Sequence, residues 1–268
     1  NGEIHWRSIS RDNITTLYGK ANNSRIFDPA DPDPDHPTRI FSWLMCESYD
    51  DKGNAIVYEY AEENEDNVTR AQANERNRVR TANRYLKCIK YGNRTPNRNA
   101  TTWQPTDPTR LSDWMFEVVF DYEEGHYKED APDAQGRIFT RAQIIPPTGS
   151  RWPVRPDSFS MYRAGFEVRT YRRCQRVLMF HHFPQELGIN DCLVSSTEFT
   201  YSESPIASFV TTVTQSGYVC QPAQNQPDRY LKKSLPPLEF EYSQVPGPQQ
   251  LAQQPARAVA LSVDDAWA

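Results

Sequence analysis

The chain has 268 residues, enough for one large domain or two modest ones with a real core. Apolar residues make up only 37%, aromatics 12%, and there are 21 prolines, a balance of short strands and turns that argues against a helical bundle. A net charge of −5 disfavours a dedicated nucleic-acid binder, and no apolar run approaches the roughly 18 residues of a membrane helix, so direct membrane insertion is not expected.

The opening NGEIHWRSIS reads as text from inside a strand, with neither an initiating methionine nor a signal peptide, and the sequence is read as a piece of a longer protein. DPADPDPDHP, from Asp28 to Pro37, holds four X-Pro bonds that bias the backbone to an extended loop. Strand patterns follow at Arg39 to Tyr49 and Ala55 to Tyr60, joined by the polar turn SYDDKGN, in which Gly53 supplies a residue free to take positive φ. Val68 to Asn83 is the one plausible helix, but it lacks an apolar stripe and reads as a surface helix or a mobile loop.

A further strand is expected at Tyr85 to Tyr91. In DWMFEVVFDY the alternation places Trp114, Phe116, Val118, Phe120 and Tyr122 on one face, taken as the inner one, and Met115, Glu117, Val119 and Asp121 on the other. FDYEEGHY, from Phe120 to Tyr127, repeats the pattern of the SYDDKGN turn and suggests another hairpin. Val177 to Phe183 is nearly continuous apolar text, read as a strand buried on both sides. Leu193 to Tyr201, Ile206 to Val213 and Leu238 to Tyr242 complete the strand patterns, and VPGPQQLAQQPA after them reads as a linker.

The expected fold is therefore mainly β, antiparallel and built from hairpins, with at most one or two short helices. Trp114, Phe116, Phe120, Phe166, Leu178 and Phe180 are expected in the core. Cys46, Cys88, Cys174, Cys192 and Cys220 are odd in number and irregularly spaced, and are expected as reduced thiols. Five N-x-S/T triplets, starting at Asn13, Asn22, Asn67, Asn93 and Asn99, fit chance in an Asn-rich chain.

Three constellations could carry chemistry. Ser195, Ser196 and Thr197, followed by Glu239 and Glu241, resemble the Ser-Thr-Ser strand and Glu-x-Glu turn with which arginine-specific ADP-ribosyltransferases hold NAD and stabilise an oxocarbenium-like transition state. A period of two explains the same residues as solvated strand faces. Cys174, His181, His182 and Cys192 are candidate metal ligands, but adjacent histidines on a strand point to opposite faces and the spacing fits no familiar zinc pattern. Arginines 151, 155, 163, 169, 172, 173 and 176, interleaved with aromatics, could bind a nucleic-acid backbone. The alternative is ion pairing with the acidic remainder, within the chain or across an assembly interface. No Gly-rich phosphate loop, H-E-x-x-H, G-x-S-x-G or EF-hand loop is present. No catalytic residue, cofactor or metal site is assigned, and the chain is not read as an enzyme.

RWPVRPDSFSMYRAGFEVRTYRRCQRVLMFHHFPQELG, Arg151 to Gly188, resembles the SpvB-type region of the B component of bacterial insecticidal toxin complexes, the Tc toxins. WRSISRDNITTLYGK, RIFSWLMCESYDDKGNAIVYEY, NRYLKCIKYGNRTP and YLKKSLPPLEFEYS resemble the same family in the same order, covering nearly all of the chain. The resemblance implies a wall segment in a hollow β-sheet shell, related to RHS/YD repeats, that B forms with a C component around a toxic cargo. SYDDKGN is then similar to a YD-type turn. It also implies secretion as part of a toxin complex, after a cytoplasmic stage, and docking onto an A component through a β-propeller of B. Residues 1–243 would be the β-sheet region and 244–268 a linker towards that propeller. In the SpvB virulence protein of the same family the ADP-ribosyltransferase is a separate C-terminal domain, which this sequence is expected to lack.

Overall fold

The computed structural model describes residues 4–145, 152–221 and 229–243; Arg151 and the linker read at 244–268 lie outside them. The strands in chain order are β1 Trp6–Ile9, β2 Thr15–Tyr18, β3 Arg25–Phe27, β4 Ile40–Trp43, β5 Met45–Tyr49 and β6 Ala55–Glu62. There follow β7 Arg84–Asn93, β8 Trp114–Asp121, β9 Tyr127–Glu129, β10 Ile138–Ala142, β11 Phe159–Met161 and β12 Val168–Thr170. The last are β13 Arg176–His181, β14 Cys192–Glu203, β15 Ser208–Gln221, β16 Arg229–Ser234 and β17 Leu238–Glu239. Among the described residues the one α-helix, α1 Pro184–Leu187, is a single turn ended by Gly188 at φ +76°.

Thirteen strands form one sheet in the order β1-β2-β5-β6-β7-β8-β13-β14-β15-β16-β10-β9, with β17 against β15. Every ladder among the described residues is antiparallel, as in the adjacent pairs β5–β6, β6–β7, β13–β14 and β14–β15. Hairpins dominate because the sequence alternates short aromatic strands with turn residues. In the β5–β6 turn, Asp50 organises the backbone. Its Oδ1 accepts from the amides of Lys52 and Asn54, both at 2.9 Å, and Oδ2 from the Asn54 amide group at 2.6 Å. Gly53 sits at φ +95°, where an added Cβ would lie 2.8 Å from Pro96. Both constraints demand glycine.

The second turn does something else. Tyr122–His126 leads from β8 to β9, yet β9 pairs with β10 at the far end of the run β8-β13-β14-β15-β16-β10-β9. Laid flat, seven strands would put β8 and β9 about 29 Å apart. Six Cα steps reach only about 21 Å. The run must curl, and side-chain contacts across its concave side show that it does. The Arg176 guanidinium lies 4.7 Å from the centre of the Tyr127 ring, and the Tyr218 hydroxyl bonds that of Tyr127 at 3.3 Å. FDYEEGHY is thus a closing strap, not the hairpin its sequence suggested.

Along the middle of β8 burial falls on the face opposite to the expected one. Glu117, Val119 and Asp121 are buried, while Phe116, Val118 and Phe120 are half-buried. Val119 pairs with Leu178 and Glu117 with Phe180 on β13, and Leu178 and Phe180 are fully buried in the cluster with Leu193 and Tyr230. Phe116 stacks on Tyr91 at 5.0 Å on the opposite face. Trp114, Leu178 and Phe180 are core as expected, whereas Phe116, Phe120 and Phe166 are not fully buried. The expected set is therefore only partly buried, at its ends Trp114 and Tyr122, while the middle of the strand buries Glu117, Val119 and Asp121, whose carboxylates are ion-paired inside. Val177 to Phe183 likewise alternates rather than being buried on both sides, with Leu178 and Phe180 inward and the intervening residues half-buried.

The five cysteines carry thiols and no disulfide joins them. Burial pushes Cys46 and Cys88 up, and Cys174 up to about 12, which makes them poor nucleophiles. Titration of denatured, unreduced protein is expected to count about five thiols; a count near one would contradict this assignment.

Candidate functional site

The arginine-rich stretch folds inward. Arg172 is wholly buried and uses all five of its N–H donors. Nε donates to Glu63 Oε1 at 2.9 Å, one terminal nitrogen to the carbonyls of Trp152 and Pro153 at 2.8 and 3.1 Å, and the other to Asn64 O and Oδ1 at 3.1 and 2.8 Å. The guanidinium also lies 5.0 Å from the Trp152 ring centre. Glu63 Oε2 accepts from the Tyr85 hydroxyl at 2.5 Å and the Tyr171 amide at 3.0 Å. Burial pushes the Glu63 carboxyl up from its usual range, and Arg172 and Tyr85 oppose that shift.

The lattice continues around this pair. Arg169 donates to Glu75 Oε1 at 2.5 Å, the Tyr171 hydroxyl donates to the same carboxylate, and Arg80 Nε reaches the Tyr171 hydroxyl at 3.0 Å. Arg78 pairs with Glu167, Arg173 with Glu203, and Arg176 with Asp121 at 3.0 Å. Arg155 grips Asp157 through two bonds of 2.8 and 2.7 Å, and Ser208 donates to the same carboxylate at 2.7 Å. These contacts hold the Asp157 carboxyl far below its usual range.

The result corrects two expectations. Residues 68–83 are neither helix nor free loop but a succession of turns, pinned because Glu63, Glu65 and Glu75 meet arginines from the stretch itself and from 169–172. The guanidinium groups of Arg169 and Arg172 are enclosed with carboxylates, which leaves them no face for a phosphate backbone. Only Arg163 of the described cluster is exposed. Sequence reasoning missed Glu63 and Glu75; the one available signal was a segment with carboxylates but no apolar stripe.

The hydroxyl and Glu-x-Glu candidates are not brought together. Ser196 is buried, 2.8 Å from the Tyr218 hydroxyl and donating to Glu198 Oε1 at 3.1 Å, and Lys232 Nζ binds the same oxygen at 2.7 Å. Ser195 and Thr197 are half-buried. Ser196 lies opposite Ser216, whereas Glu239 lies opposite Thr212, four residues further along β15. That separation is about 13 Å along the strand. Glu239 and Glu241 are exposed.

The metal candidates also part. Cys174 Sγ contacts the Arg176 carbonyl at 3.2 Å, His181 packs edge-on against Phe116, Cys192 is buried, and His182 sits between Glu117 and Asp191. Among the described residues no group of three His, Cys, Asp or Glu side chains is placed to hold a metal ion. No helix among them is long and apolar enough to cross a membrane.

A second buried charge cluster fastens the closing strap. Lys87 of β7 pairs with Glu124 and donates to the Phe120 carbonyl at 2.9 Å, and His126 Nε2 lies 3.3 Å from the same Glu124. Burial pulls the Lys87 ammonium down to about 8, which still leaves it charged at neutral pH beside its carboxylate.

A curled antiparallel sheet whose interior is joined by inward ion pairs defines a structural β-sheet module. The chain belongs to the SpvB family: the family model described as Salmonella virulence plasmid 65kDa B protein matches residues 1–183. It is 40% identical over 206 residues to the mono(ADP-ribosyl)transferase SpvB of Salmonella typhimurium, covering 77% of this chain and 32% of that protein. The chain therefore spans about a third of the length of the curated relatives it matches. Among solved structures, the N-terminal domain of effector protein SpvB from Salmonella typhimurium strain LT2 aligns with a TM-score of 0.64 and 37% identity, over 82% of this chain and 62% of that one. The TcdB2-TccC3 crystal structure aligns with a TM-score of 0.66 and 31% identity, over 89% of this chain and 10% of that one.

Proposed function

We propose that this chain is a non-catalytic wall segment of a toxin-complex B component, which joins a C component to form a β-sheet shell that encloses and helps deliver a toxic cargo. The observation that carries the reading is the alignment of nearly the whole chain with a small part of TcdB2-TccC3. The sheet itself suits the role. Among the described residues β1 pairs only with β2, and its side chains, with Trp6 and Ile9 about 60% exposed, leave an edge for a further strand. Secretion within a toxin complex, and docking onto an A component through a propeller elsewhere in the parent protein, belong to the same proposal.

The second reading, an ADP-ribosyltransferase using Ser195, Ser196, Thr197, Glu239 and Glu241, draws on the relatives' name. It is disfavoured by the 13 Å offset above and by Ser196 being bound to Glu198 and Tyr218. An NAD-cleavage assay on the purified chain separates the two readings. No turnover is expected; turnover that disappears in Glu241→Ala would overturn the structural reading.

A further inference from the structure

His182 ends β13, and its ring joins two elements. Nε2 lies 3.3 Å from Glu117 Oε2 on β8, and Nδ1 lies 2.9 Å from Asp191 Oδ1, just before β14. Between His182 and Asp191 runs the β13–β14 connection with α1, and this connection forms one wall of a cavity of about 530 Å³ that Lys90, Trp114 and Glu117 line from the sheet side. Two carboxylates from separate elements around one imidazole is an arrangement that holds only while the ring carries its second proton.

We propose that His182 is a clamp that pins the β13–β14 connection over this cavity, and that loss of its proton releases the connection. The other groups packed around it do not replace that charge. Lys90 is engaged with Glu59 at 2.8 Å, Cys88 donates to Glu117 at 3.0 Å, and Arg94 holds the His182 carbonyl at 2.7 Å rather than either carboxylate. His181 points to the opposite face, against Phe116. Asp191 and Glu117 raise His182 to about 9. A histidine raised in the folded state stabilises fully below its unfolded value near 6.5, and that stabilisation fades as pH rises through the folded value. The clamp is therefore closed at neutral pH and opens under alkaline conditions.

Chymotrypsin cleavage after Leu187 reads the opening, because the Phe183–Pro184 bond resists the protease, with rates normalised at each pH to a free peptide of the same sequence and Phe139 in β10 as an internal control. Normalised cleavage is expected to rise at least ~10-fold between pH 7 and pH 10, the equivalent of one pKa unit of linkage, while cleavage at Phe139 stays flat. His182→Gln should be cleaved at the fast rate at both pH values. A flat pH profile in the unsubstituted chain, or protection in His182→Gln equal to the parent at pH 7, would overturn the clamp. The wild-type profile decides the matter by itself if the variant does not fold.

Discussion

Arg172→Ala is expected to lower folding stability by about 3–5 kcal/mol, seen as a shift in the urea midpoint at unchanged slope. The substitution strands five acceptors at once: Glu63 Oε1, the carbonyls of Trp152, Pro153 and Asn64, and the Asn64 side chain. Glu63 is fully buried, so its carboxylate would lose its one guanidinium partner among the described residues where water cannot replace it. Arg172→Lys should recover only part of the loss, because an ammonium offers three donors without the planar fork. The double variant Glu63→Gln, Arg172→Met should cost less than Arg172→Ala, since no uncompensated charge remains. A loss below ~1 kcal/mol for Arg172→Ala would mean that the lattice does not hold residues 63–83 against the sheet.

Phe180→Ala is expected to cost about 3–5 kcal/mol and Phe116→Ala clearly less. Phe180 is fully buried among Val119, Leu178, Leu193 and Tyr230, where the curled strands cannot collapse onto a cavity without breaking ladders on both sides. Phe116, although it alternates with the same strand pattern, is half-exposed and leans on Tyr91, His181 and Phe183. Thermal or urea unfolding of the two variants checks the order. Equal losses would return Phe116 to the core and reverse the assignment of faces on β8.

That pair shows how far the sequence could be read. Alternation located β7, β8, β13 and β14 within a residue or two at most ends, because hydrophobic periodicity is a local property. Arg39 to Tyr49 divided into β4 and β5 at Leu44, Ile206 to Val213 proved to be the start of a longer β15, and Leu238 to Tyr242 kept only its first two residues as strand. β3, β9, β11 and β12 are three residues each, too short for a period of two to register. How the middle of β8 is buried depended on a strap leading to a strand six places away in the sheet. The partners of the arginine cluster were illegible for the same reason: Arg172 and Glu63 are 109 residues apart, and Arg169 and Glu75 are 94 apart. The separation of Ser196 from Glu239 follows from the β14–β15–β17 register, which only the folded sheet defines.

The central claim is that this region serves as wall, not as catalyst, and assembly tests it most directly. On the proposed reading, the full-length parent should be co-expressed with the C component proposed as its partner, with and without residues 4–243, and the products measured by size-exclusion chromatography with light scattering. The intact parent is expected to give one stable B–C particle, and the deleted form to give none, with the C component aggregating or being degraded. A deleted B component that still forms a particle of normal mass and stability would contradict the account and make this region a self-contained appendage of the shell.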